Sequence, residues 1–590
     1  MPEQNTRYTP GRLGFSDPKD IDLFVATLEK YERGEITADA WRAFRLLNGV
    51  YGQRQEGAQM LRVKIPQGIL NASQLETLAQ VASEYADGRG HVTTRQNIQF
   101  YFIPLARAEE AMRLCDSAGL TTKEACGHSV RNVIANPLAG VDPEEVFDVT
   151  PYADALTRHF LRGKLSSTLP RKFKIGFEGA GRDAMRASIN DLSFKATKNE
   201  RGERGFRVLV GGGTSTLPRT GSVLVGFLPA AEIFSITHAV LRVFHREGER
   251  ADKHKARIKW LIKKIGWEAF YERTLVEWEL VKAEGESALP FDPESPPVEP
   301  ITPKPPEAKV DVSASFEAWS RTNLVAQKQA GLSTAVITLP LGDLTPAQFR
   351  GLAQLATRFS DGTVRTTIEQ NLVVRHVPNE SVYALYNELE KLGLSRPGAS
   401  TFADVTSCAG AHTCAIAVTA SRGMGSRLSE DLRDSDAALG KAPGLEGASI
   451  KISGCPNGCG QHHIASISLQ GAMRRVGGRP LPLYMISVGG GALKNETGDV
   501  IGSRFARLVG KLPAHRVSAA IRKVLALWES ERAPQQSLDD FLAVVPVPKV
   551  KAAIGQLFDI DEHTATPEDF VDLGQEEPFT VAEGEAECAM

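Results

Sequence analysis

Four cysteines in two short clusters are the residues of this chain best suited to chemistry. Cys408 and Cys414 are separated by five residues, and 40 residues further on Cys455 and Cys459 are separated by three. Four thiolates bind one metal centre only if their loops converge, and the glycine-rich stretches TSCAGAHTCA and SGCPNGCGQHH let backbone N–H groups approach sulfur. Zinc sites usually space their cysteines by about two to four residues. The spacing therefore favours an iron–sulfur cluster over zinc, disulfides or inert buried thiols.

Composition limits the class of protein. A chain of 590 residues is too long for a single core, and length alone suggests about four domains. The net charge of −2 indicates neither nucleic acid nor an anionic membrane as a partner. Seven cysteines, an odd and small number, fit a reducing compartment. With no signal-type segment at the N-terminus and no run of about 18 apolar residues, we expect a cytoplasmic protein without a membrane span.

An internal repeat is the main architectural feature. Residues 53–104 align with residues 327–378 without a gap, and about a third of the positions are identical. Each copy reads strand, helix, strand. In the first copy, LRVKIP and NIQFYFI are predicted strands, and ASQLETLAQVASEYA is a predicted helix that begins at a Ser73 cap. The motifs VLVGGG (208–213) and ISVGGG (486–491) suggest that the duplication continues, either as tight strand exits or as paired approaches to an anionic ligand.

Three segments stand apart by composition. Residues 290–306 hold eight prolines and predict an extended linker. Residues 246–267 predict a basic amphipathic helix, which is either a solvated face or a docking face for an anionic partner. After Lys551 there is no Lys or Arg, and the acidic ending predicts a flexible tail.

Basic residues recur at motif-like points of the first half. Arg95 lies in TTRQNIQF, where the second copy has Glu369, and Arg131 lies in GHSVRNVIANP. Lys172 and Lys174 lie two apart on a predicted strand and therefore share a face. Each alone reads as a surface cation or an ion-pair partner. Beside a metal centre, the four together could bind a small oxyanion and supply charge and protons as its oxygens leave.

The cysteine clusters, the duplicated half with TTRQNIQF, and LPRKFK together resemble the sirohaem-containing sulfite and nitrite reductases. The resemblance implies an α+β, pseudo-twofold, three-lobed fold, with mixed and antiparallel sheets flanked by helices. It divides the chain into an N-terminal extension (1–44), a first ferredoxin-like half repeat (45–115), a first sirohaem-binding lobe (116–285), a Pro-rich linker (286–318), a second half repeat (319–390), a second lobe that binds sirohaem and a 4Fe-4S cluster (391–545) and an acidic tail (546–590).

The resemblance also implies site roles. Cys408, Cys414, Cys455 and Cys459 would hold a 4Fe-4S cluster, Cys459 would also be the axial ligand of the sirohaem iron, and Asn457 would be a further cofactor-binding residue. Arg95, Arg131, Lys172 and Lys174 would be the catalytic cations, which bind the substrate anion and the carboxylates of sirohaem. Cys115 and Cys588 would have no metal role.

The implied reaction is the six-electron reduction of sulfite to sulfide or of nitrite to ammonia. Nitrite-reducing members tend to carry Asn where this chain has Lys174, and sulfite carries more charge than nitrite, so sulfite is favoured. Nitrite reduction and a dual activity are the alternatives. Cys126 lies five residues before Arg131; a Cys–Tyr crosslink is not predicted, because the expected Tyr position holds Gln67.

Electrons must come from a partner, because no G-x-G-x-x-G opens a helix here. The resemblance favours a ferredoxin over a separate flavoprotein, and segment 246–264 could steer an acidic ferredoxin. Two other classes stay open at this point: a zinc enzyme, which would be colourless, and a non-catalytic iron–sulfur carrier, which would lack a haem spectrum.

Overall fold

The protein is described by a computed structural model that covers residues 14–298, 304, 313–434, 444–495 and 500–580. Cys588 and the last ten residues of the predicted acidic tail lie outside these ranges. The chain begins with helices α1 (Pro18–Glu32) and α2 (Ala38–Leu47), which are capped by the side chains of Asp17 and Thr37. These helices bury Phe24 and Trp41 in the core of the repeats.

The first repeat forms an antiparallel sheet covered by helices. Its elements are β1 (Val50–Gly52), β2 (Ala58–Val63), β3 (Ile69–Asn71), α3 (Ala72–Glu84), β4 (Gly90–Val92), β5 (Ile98–Pro104) and α4 (Ala108–Ser117). The predicted strands and helix are present. The predicted cap is wrong, because Asn71 rather than Ser73 begins the helix, in a reciprocal capping box with Gln74.

The first lobe follows as a five-stranded mixed sheet with helices packed on it. Its elements are β6 (Ile134–Ala135), α5 (Thr150–Phe160), α6 (Lys164–Ser167), β7 (Ile175–Glu178), β8 (Leu192–Lys198), β9 (Arg204–Val210), β10 (Ser222–Pro229), α7 (Ile233–Glu247), α8 (Ile258–Ile265) and α9 (Trp267–Glu284). The strand order is β10-β9-β8-β7-β6, with β6, β7 and β8 parallel and β8, β9 and β10 antiparallel.

The single basic helix predicted over 246–267 is wrong. Helix α7 ends at Glu247 and α8 begins at Ile258, with a break between them. Arg257 turns inward to a buried ion pair with Asp191, and Lys259 is buried and donates to the carbonyl of Leu217. The basic residues of this segment therefore do not form one exposed helix face.

The second repeat has the same plan as the first. Its elements are α10 (Ala314–Asn323), β11 (Leu324–Ala326), β12 (Leu332–Ile337), β13 (Asp343–Leu344), α11 (Pro346–Phe359), β14 (Thr363–Thr366), β15 (Leu372–Pro378) and α12 (Val382–Lys391). Left-handed backbone recurs at matching positions: Gln67 with Leu341, Gln96 with Gln370, and Phe102 with His376. Equivalent turns of the two copies, and an equivalent irregularity within β5 and β15, therefore share their backbone conformation.

The two repeats exchange strands and share one core. β3 of the first pairs with β14 of the second, and β13 of the second pairs with β4 of the first. The largest apolar cluster of the repeats contains residues of both copies. Neither copy therefore completes its sheet alone, as expected for a pseudo-twofold lobe.

The lobe predicted over residues 391–545, here called the third lobe, repeats the topology of the first. Its elements are β16 (Thr406–Ser407), α13 (Ser421–Asp434), β17 (Ile450–Ser453), β18 (Ile467–Val476), β19 (Arg479–Val488), β20 (Gly491–Lys494), β21 (Val500–Arg504), β22 (Arg507–Pro513), α14 (Val517–Glu531), α15 (Leu538–Val544) and α16 (Val547–Ile554). Its sheet order is β16-β17-β18-β19-β22, again with the first three strands parallel and the rest antiparallel. The α+β class with a duplicated, three-lobed architecture is confirmed.

The two glycine triplets follow β9 and β19 and pack within their own lobes. A Cβ on Gly212 would lie 2.1 Å from the carbonyl oxygen of Ser188, and one on Gly490 would lie 2.5 Å from that of Ala465. Close backbone packing is enough to require glycine at both positions. The triplets are thus strand exits of a duplicated lobe.

The segments predicted as linker and tail are partly packed. Phe291, at the start of the Pro-rich linker, contacts Tyr152 edge-on with ring centroids 5.5 Å apart. At the other end, Ile560 and Phe570 are buried against strands β18 and β19, so a flexible tail is wrong for these residues. Within the described ranges, no single helix is long and apolar enough to cross a membrane, while one bent pair, Leu538–Val544 with Val547–Phe558, meets that test by length and composition.

Candidate active site

One cavity lies where the first repeat, the first lobe and the third lobe meet. It encloses about 1390 Å³ of atom-free space, counted out to its open mouth. All nine site residues predicted from the sequence line it: Arg95, Arg131, Lys172, Lys174, Cys408, Cys414, Cys455, Asn457 and Cys459. The cysteine clusters and the basic motifs thus face a common space.

The two cysteine loops converge because of the sheet. β16 and β17 are parallel neighbours, so the loops that follow them emerge at the same edge. Cys408 follows β16, and Cys455 and Cys459 follow β17. The N–H of Gly454 donates to Cys408 Sγ at 3.3 Å, and a Cβ on Gly454 would lie 2.7 Å from the carbonyl oxygen of Thr419. Glycine is therefore needed where the two loops touch.

The four thiols are close enough to affect one another. Burial raises the pKa of Cys455, and Cys459, Cys408 and Cys414 raise it further. None of the six described cysteines forms a disulfide. Such crowding of thiols is unfavourable for free thiolates but suits a cluster, since iron neutralises the sulfur charge. By their chemistry and convergence, these residues fit a four-cysteine iron–sulfur site.

Cys459 differs from the other three cysteines in exposure. Cys455 is buried and Cys408 and Cys414 are half-buried, while Cys459 is exposed. Its carbonyl accepts a hydrogen bond from Thr94 Oγ1 at 2.8 Å, which ties the loop to the turn that carries Arg95. Cys459 is therefore the cysteine best placed for contact with a second group in the cavity.

The opposite wall is cationic, and its guanidinium groups are held by neutral oxygens. Arg95 lies in the turn between β4 and β5 rather than at the start of a strand. Its nitrogens donate to the carbonyls of Asn132 (2.6 Å) and Ile175 (3.1 Å) and to Asn190 Oδ1 (2.9 Å). Burial lowers the pKa of Arg95 to about 9, and the nearby Arg131 adds to that effect.

Arg131 is anchored in a similar way. Its Nη2 donates to the carbonyl of Gly127 at 2.8 Å, and its Nη1 donates to that of Ala125 at 3.2 Å. Carbonyl acceptors fix a guanidinium group without cancelling its charge. The carbonyls therefore hold the guanidinium groups of Arg95 and Arg131 at the wall of the cavity, where they can face anionic groups.

The surroundings of Lys174 also disfavour its charged form. Burial lowers its pKa well below 10.5, and Arg95, Arg257 and Lys172 lower it further. The nearest balancing carboxylate, Asp191, already accepts hydrogen bonds from Arg257 at 2.9 and 2.8 Å and from the backbone N–H of Lys174 at 2.8 Å. An anion in the cavity would therefore relieve a surplus of positive charge around Lys174.

Asp191 holds this cationic wall together, and its loss should destabilise the first lobe. We expect Asp191→Asn to lower the free energy of unfolding by about 3–5 kcal/mol, because Arg257 would become a buried charge without a counter-ion. The measurement is urea unfolding of the purified chain followed by circular dichroism. As control, Asp252→Asn removes the exposed carboxylate that pairs with Lys255 and should leave the midpoint unchanged. Equal midpoints for the two variants would contradict the assignment.

The sequence reasoning missed one cavity cation, Arg62 on β2. Arg62 lines the cavity and donates to the carbonyl of Ala125 at 3.2 Å and to Cys126 Sγ at 3.1 Å. The repeat carried a signal for it, because the aligned position of the second copy holds Val336, just as Glu369 stands opposite Arg95. A cation present in only one copy of a duplication marks the specialised half.

The other two described cysteines, Cys126 and Cys115, lie away from the cavity surface. Cys126 is fully buried behind Arg62 and packs with Met60 and Tyr101, so it lies one layer behind the wall. Gln67 is buried and donates to Thr157 Oγ1 at 3.1 Å. Burial in the core of the repeats raises the pKa of Cys115 to about 12, as expected for an inert thiol.

The cavity also fits a large polyanionic macrocycle. Arg62, Arg95, Arg131, Lys172 and Lys174 present guanidinium and ammonium groups, and Arg95 Nε is buried without an acceptor among the described residues. Buried donors without partners mark places where a bound group completes the hydrogen bonding. Both the sulfur side and the cationic side therefore match the cofactors that the resemblance implies.

Comparisons with known proteins identify the family of the chain. The model described as "Nitrite and sulphite reductase 4Fe-4S domain" matches residues 126–282. The model described as "Nitrite/Sulfite reductase ferredoxin-like half domain" matches twice, at residues 51–118 and 325–392. The two half-domain matches coincide with the internal repeat. The 4Fe-4S domain model matches the first lobe and does not include the four cysteines. The assignment of the cysteines therefore depends on the geometry of the third lobe.

Curated relatives cover most of the chain. The chloroplastic ferredoxin–nitrite reductase of Spinacia oleracea is 30% identical, covering 80% of this chain and 76% of that protein. The ferredoxin–nitrite reductase of Synechococcus elongatus is 31% identical, over 74% of this chain and 80% of that protein. The sulfite reductase [ferredoxin] of Mycobacterium tuberculosis is 27% identical, over 79% and 85%. Among solved structures, the M. tuberculosis NirA protein has the same fold, with a TM-score of 0.73, 24% identity and 91% of this chain covered.

Proposed function

The chain belongs to the nitrite and sulphite reductase family, whose cofactors are sirohaem and a 4Fe-4S cluster, and from this premise we propose that it reduces sulfite to sulfide by six electrons. The observation that carries the proposal is Lys174, a half-buried lysine of the cavity whose nearby carboxylate, Asp191, is shared with Arg257. An ammonium group with a shared counter-ion favours the more highly charged of the family's two substrates.

The cavity supports an assignment of the cofactor ligands. Cys408, Cys414, Cys455 and Cys459 would hold the cluster, and Cys459, the exposed member, would also hold the sirohaem. Asn457 would line the site beside Cys459. When bound, the coupled cofactors store and deliver single electrons next to the substrate.

The cations of the cavity bind the substrate and manage its protons. Arg95 and Arg131, fixed by backbone carbonyls, would orient the anion and receive its oxygens. Each oxygen that leaves as water needs protons, and the lowered pKa of Lys174 makes its ammonium a more ready donor than an exposed lysine. Lys172, in the same wall, would compensate charge and provide a second donor.

Nitrite reduction to ammonia is the second candidate. The relatives at 30–31% identity are named ferredoxin–nitrite reductases, whereas the M. tuberculosis sulfite reductase is 27% identical. This difference in identity favours nitrite as the substrate. The two reactions share the cavity and differ in the charge and the oxygen number of the anion. A chain with five cations at the wall could reduce both.

A ferredoxin is the proposed electron donor, since relatives of both kinds are named for ferredoxin. The segment predicted to dock the ferredoxin, 246–264, presents fewer exposed basic side chains than the sequence suggests. Arg246 pairs with Glu277 at 2.8 Å, and Arg257 and Lys259 are buried. We therefore do not propose this segment as the surface that binds the donor.

Spectra and turnover test the proposal together. We expect the purified protein to show a sirohaem Soret band and the iron of about one cluster per chain. With reduced methyl viologen as donor, it should turn over sulfite and nitrite, with the higher kcat/KM for sulfite. A colourless zinc protein, or a brown protein without haem bands, would exclude the family chemistry. A higher kcat/KM for nitrite would reverse the substrate assignment while leaving the cofactors in place.

A further inference from the structure

Two histidines and a glutamate meet outside the cavity, on the helices of the first lobe. His159 lies near the end of α5, His238 lies in α7, and Glu286 follows the C-terminus of α9. One ligand atom from each lies within 4.8 Å of the other two. His159 Nε2 is 3.4 Å from Glu286 Oε1, and His238 Nδ1 contacts Glu286 Oε2.

Neighbouring aromatic rings fix the two imidazoles. The ring of Phe234 stacks on that of His159, with centroids 4.1 Å apart and planes at 9°. The ring of Phe160 packs edge-on against that of His238, with centroids 4.7 Å apart. The backbone N–H of Ser287 donates to Glu286 Oε1 at 2.9 Å. The three ligand groups are therefore held in place before any ion binds, as metal ligands usually are by their surroundings.

The three side chains can be reached from solvent. The side chains of His159, His238 and Glu286 retain 18%, 24% and 13% exposure, so water and a small ion can reach them. A carboxylate between two imidazoles provides charge balance for a divalent cation.

We propose that His159, His238 and Glu286 bind one Zn²⁺ ion, with water as the fourth ligand. Two imidazole nitrogens and one carboxylate are a common donor set for zinc. Zinc–ligand bonds of about 2.0–2.2 Å in a tetrahedron separate the ligand atoms by about 3.3–3.6 Å. The observed spread, within 4.8 Å, requires only small side-chain rotations.

The ion would have a structural role. Glu286 comes directly after Gly285, whose left-handed backbone (φ 84°) ends α9. A metal at this point would join α5, α7 and the first residues of the Pro-rich linker. It would fix where the linker leaves the first lobe, far in sequence from the cysteines and independently of the redox reaction.

The test is zinc stoichiometry in the untagged, cluster-loaded enzyme, so that the cysteines are not free to take zinc. After dialysis against ZnCl₂ at about 10 µM free ion, elemental analysis should find one zinc per chain, counted against iron. Glu286→Gln and His238→Gln should weaken zinc binding by at least about 10–100-fold. His245→Gln, which removes a histidine from the same helix α7, should keep the zinc. Hydrogen exchange over residues 283–289 should slow with zinc in the wild type and in His245→Gln only.

Two results would overturn the proposal. One is a wild-type enzyme that binds no zinc at about 100 µM free ion with its iron content intact. The other is Glu286→Gln retaining zinc as tightly as the wild type, because that change keeps the shape of the side chain and removes only its charge. Since Glu286 does not touch the cavity, sulfite and nitrite turnover should be unchanged in this variant, which shows that the fold is intact.

Discussion

Replacement of Cys459 by serine is expected to remove the cluster and the sirohaem spectrum together, and to lower turnover of sulfite and nitrite by more than about 100-fold. The reason is the position of Cys459, the exposed member of the four converging cysteines, in the loop that hydrogen-bonds to the turn of Arg95. If one thiolate serves both cofactors, then its loss affects both. Iron content and the visible spectrum of the purified variant measure the two losses separately.

Cys126→Ser is the matched control. Cys126 is buried behind the same cavity, and its sulfur accepts a hydrogen bond from Arg62 that a serine oxygen can also accept. We expect this variant to keep both cofactors. Cys414→Ser should lose the cluster, and any sirohaem band that it retains would separate the binding of the cluster from the binding of the sirohaem. Retention of both cofactors by Cys459→Ser would contradict the shared-thiolate assignment.

The sequence predicted the cavity because its chemistry is carried by short motifs. Each cysteine pair and each basic motif spans a few residues, and duplication implies that the halves face one another. The convergence of Cys408 with Cys455 needed only two parallel strands ending at one edge. Arg62 was missed because a single arginine in an alternating strand is ordinary, and only the comparison with Val336 distinguishes it.

The features that were mispredicted or not predicted depend on distant partners. The pattern over 246–267 is helical and basic, but the chain is not α-helical between Glu247 and Ile258, and Arg257 pairs with Asp191, 66 positions away. The exchange of β3 and β13 between the repeats involves strands of two or three residues, too short to carry a periodic signal. His159, His238 and Glu286 lie on or next to three different helices, so no short spacing motif in the sequence indicates the cluster.

Lys174→Asn should lower kcat/KM for sulfite relative to nitrite by about 10- to 100-fold, which corresponds to roughly 1.4–2.8 kcal/mol. Sulfite as a dianion interacts with the lysine charge more strongly than nitrite does, so the loss of that charge affects sulfite more. The measurement is the ratio of the two kcat/KM values with reduced methyl viologen. Lys255→Asn removes an exposed lysine of the same lobe and should leave both values unchanged. An unchanged ratio in Lys174→Asn would remove the argument for sulfite.

The pH dependence of the same variant tests the physical cause. Because Lys174 has a pKa well below 10.5 in the folded, ligand-free chain, the unfolded chain binds more protons between those two pKa values. The stability of the ligand-free chain should therefore rise with pH across that window, and Lys174→Asn should reduce this slope. A bound anion raises the pKa of Lys174 again, so nitrite binding should take up protons and weaken as the pH rises. If nitrite binding has the same pH dependence in both chains, then Lys174 does not face the anion, whatever the ratio of the activities.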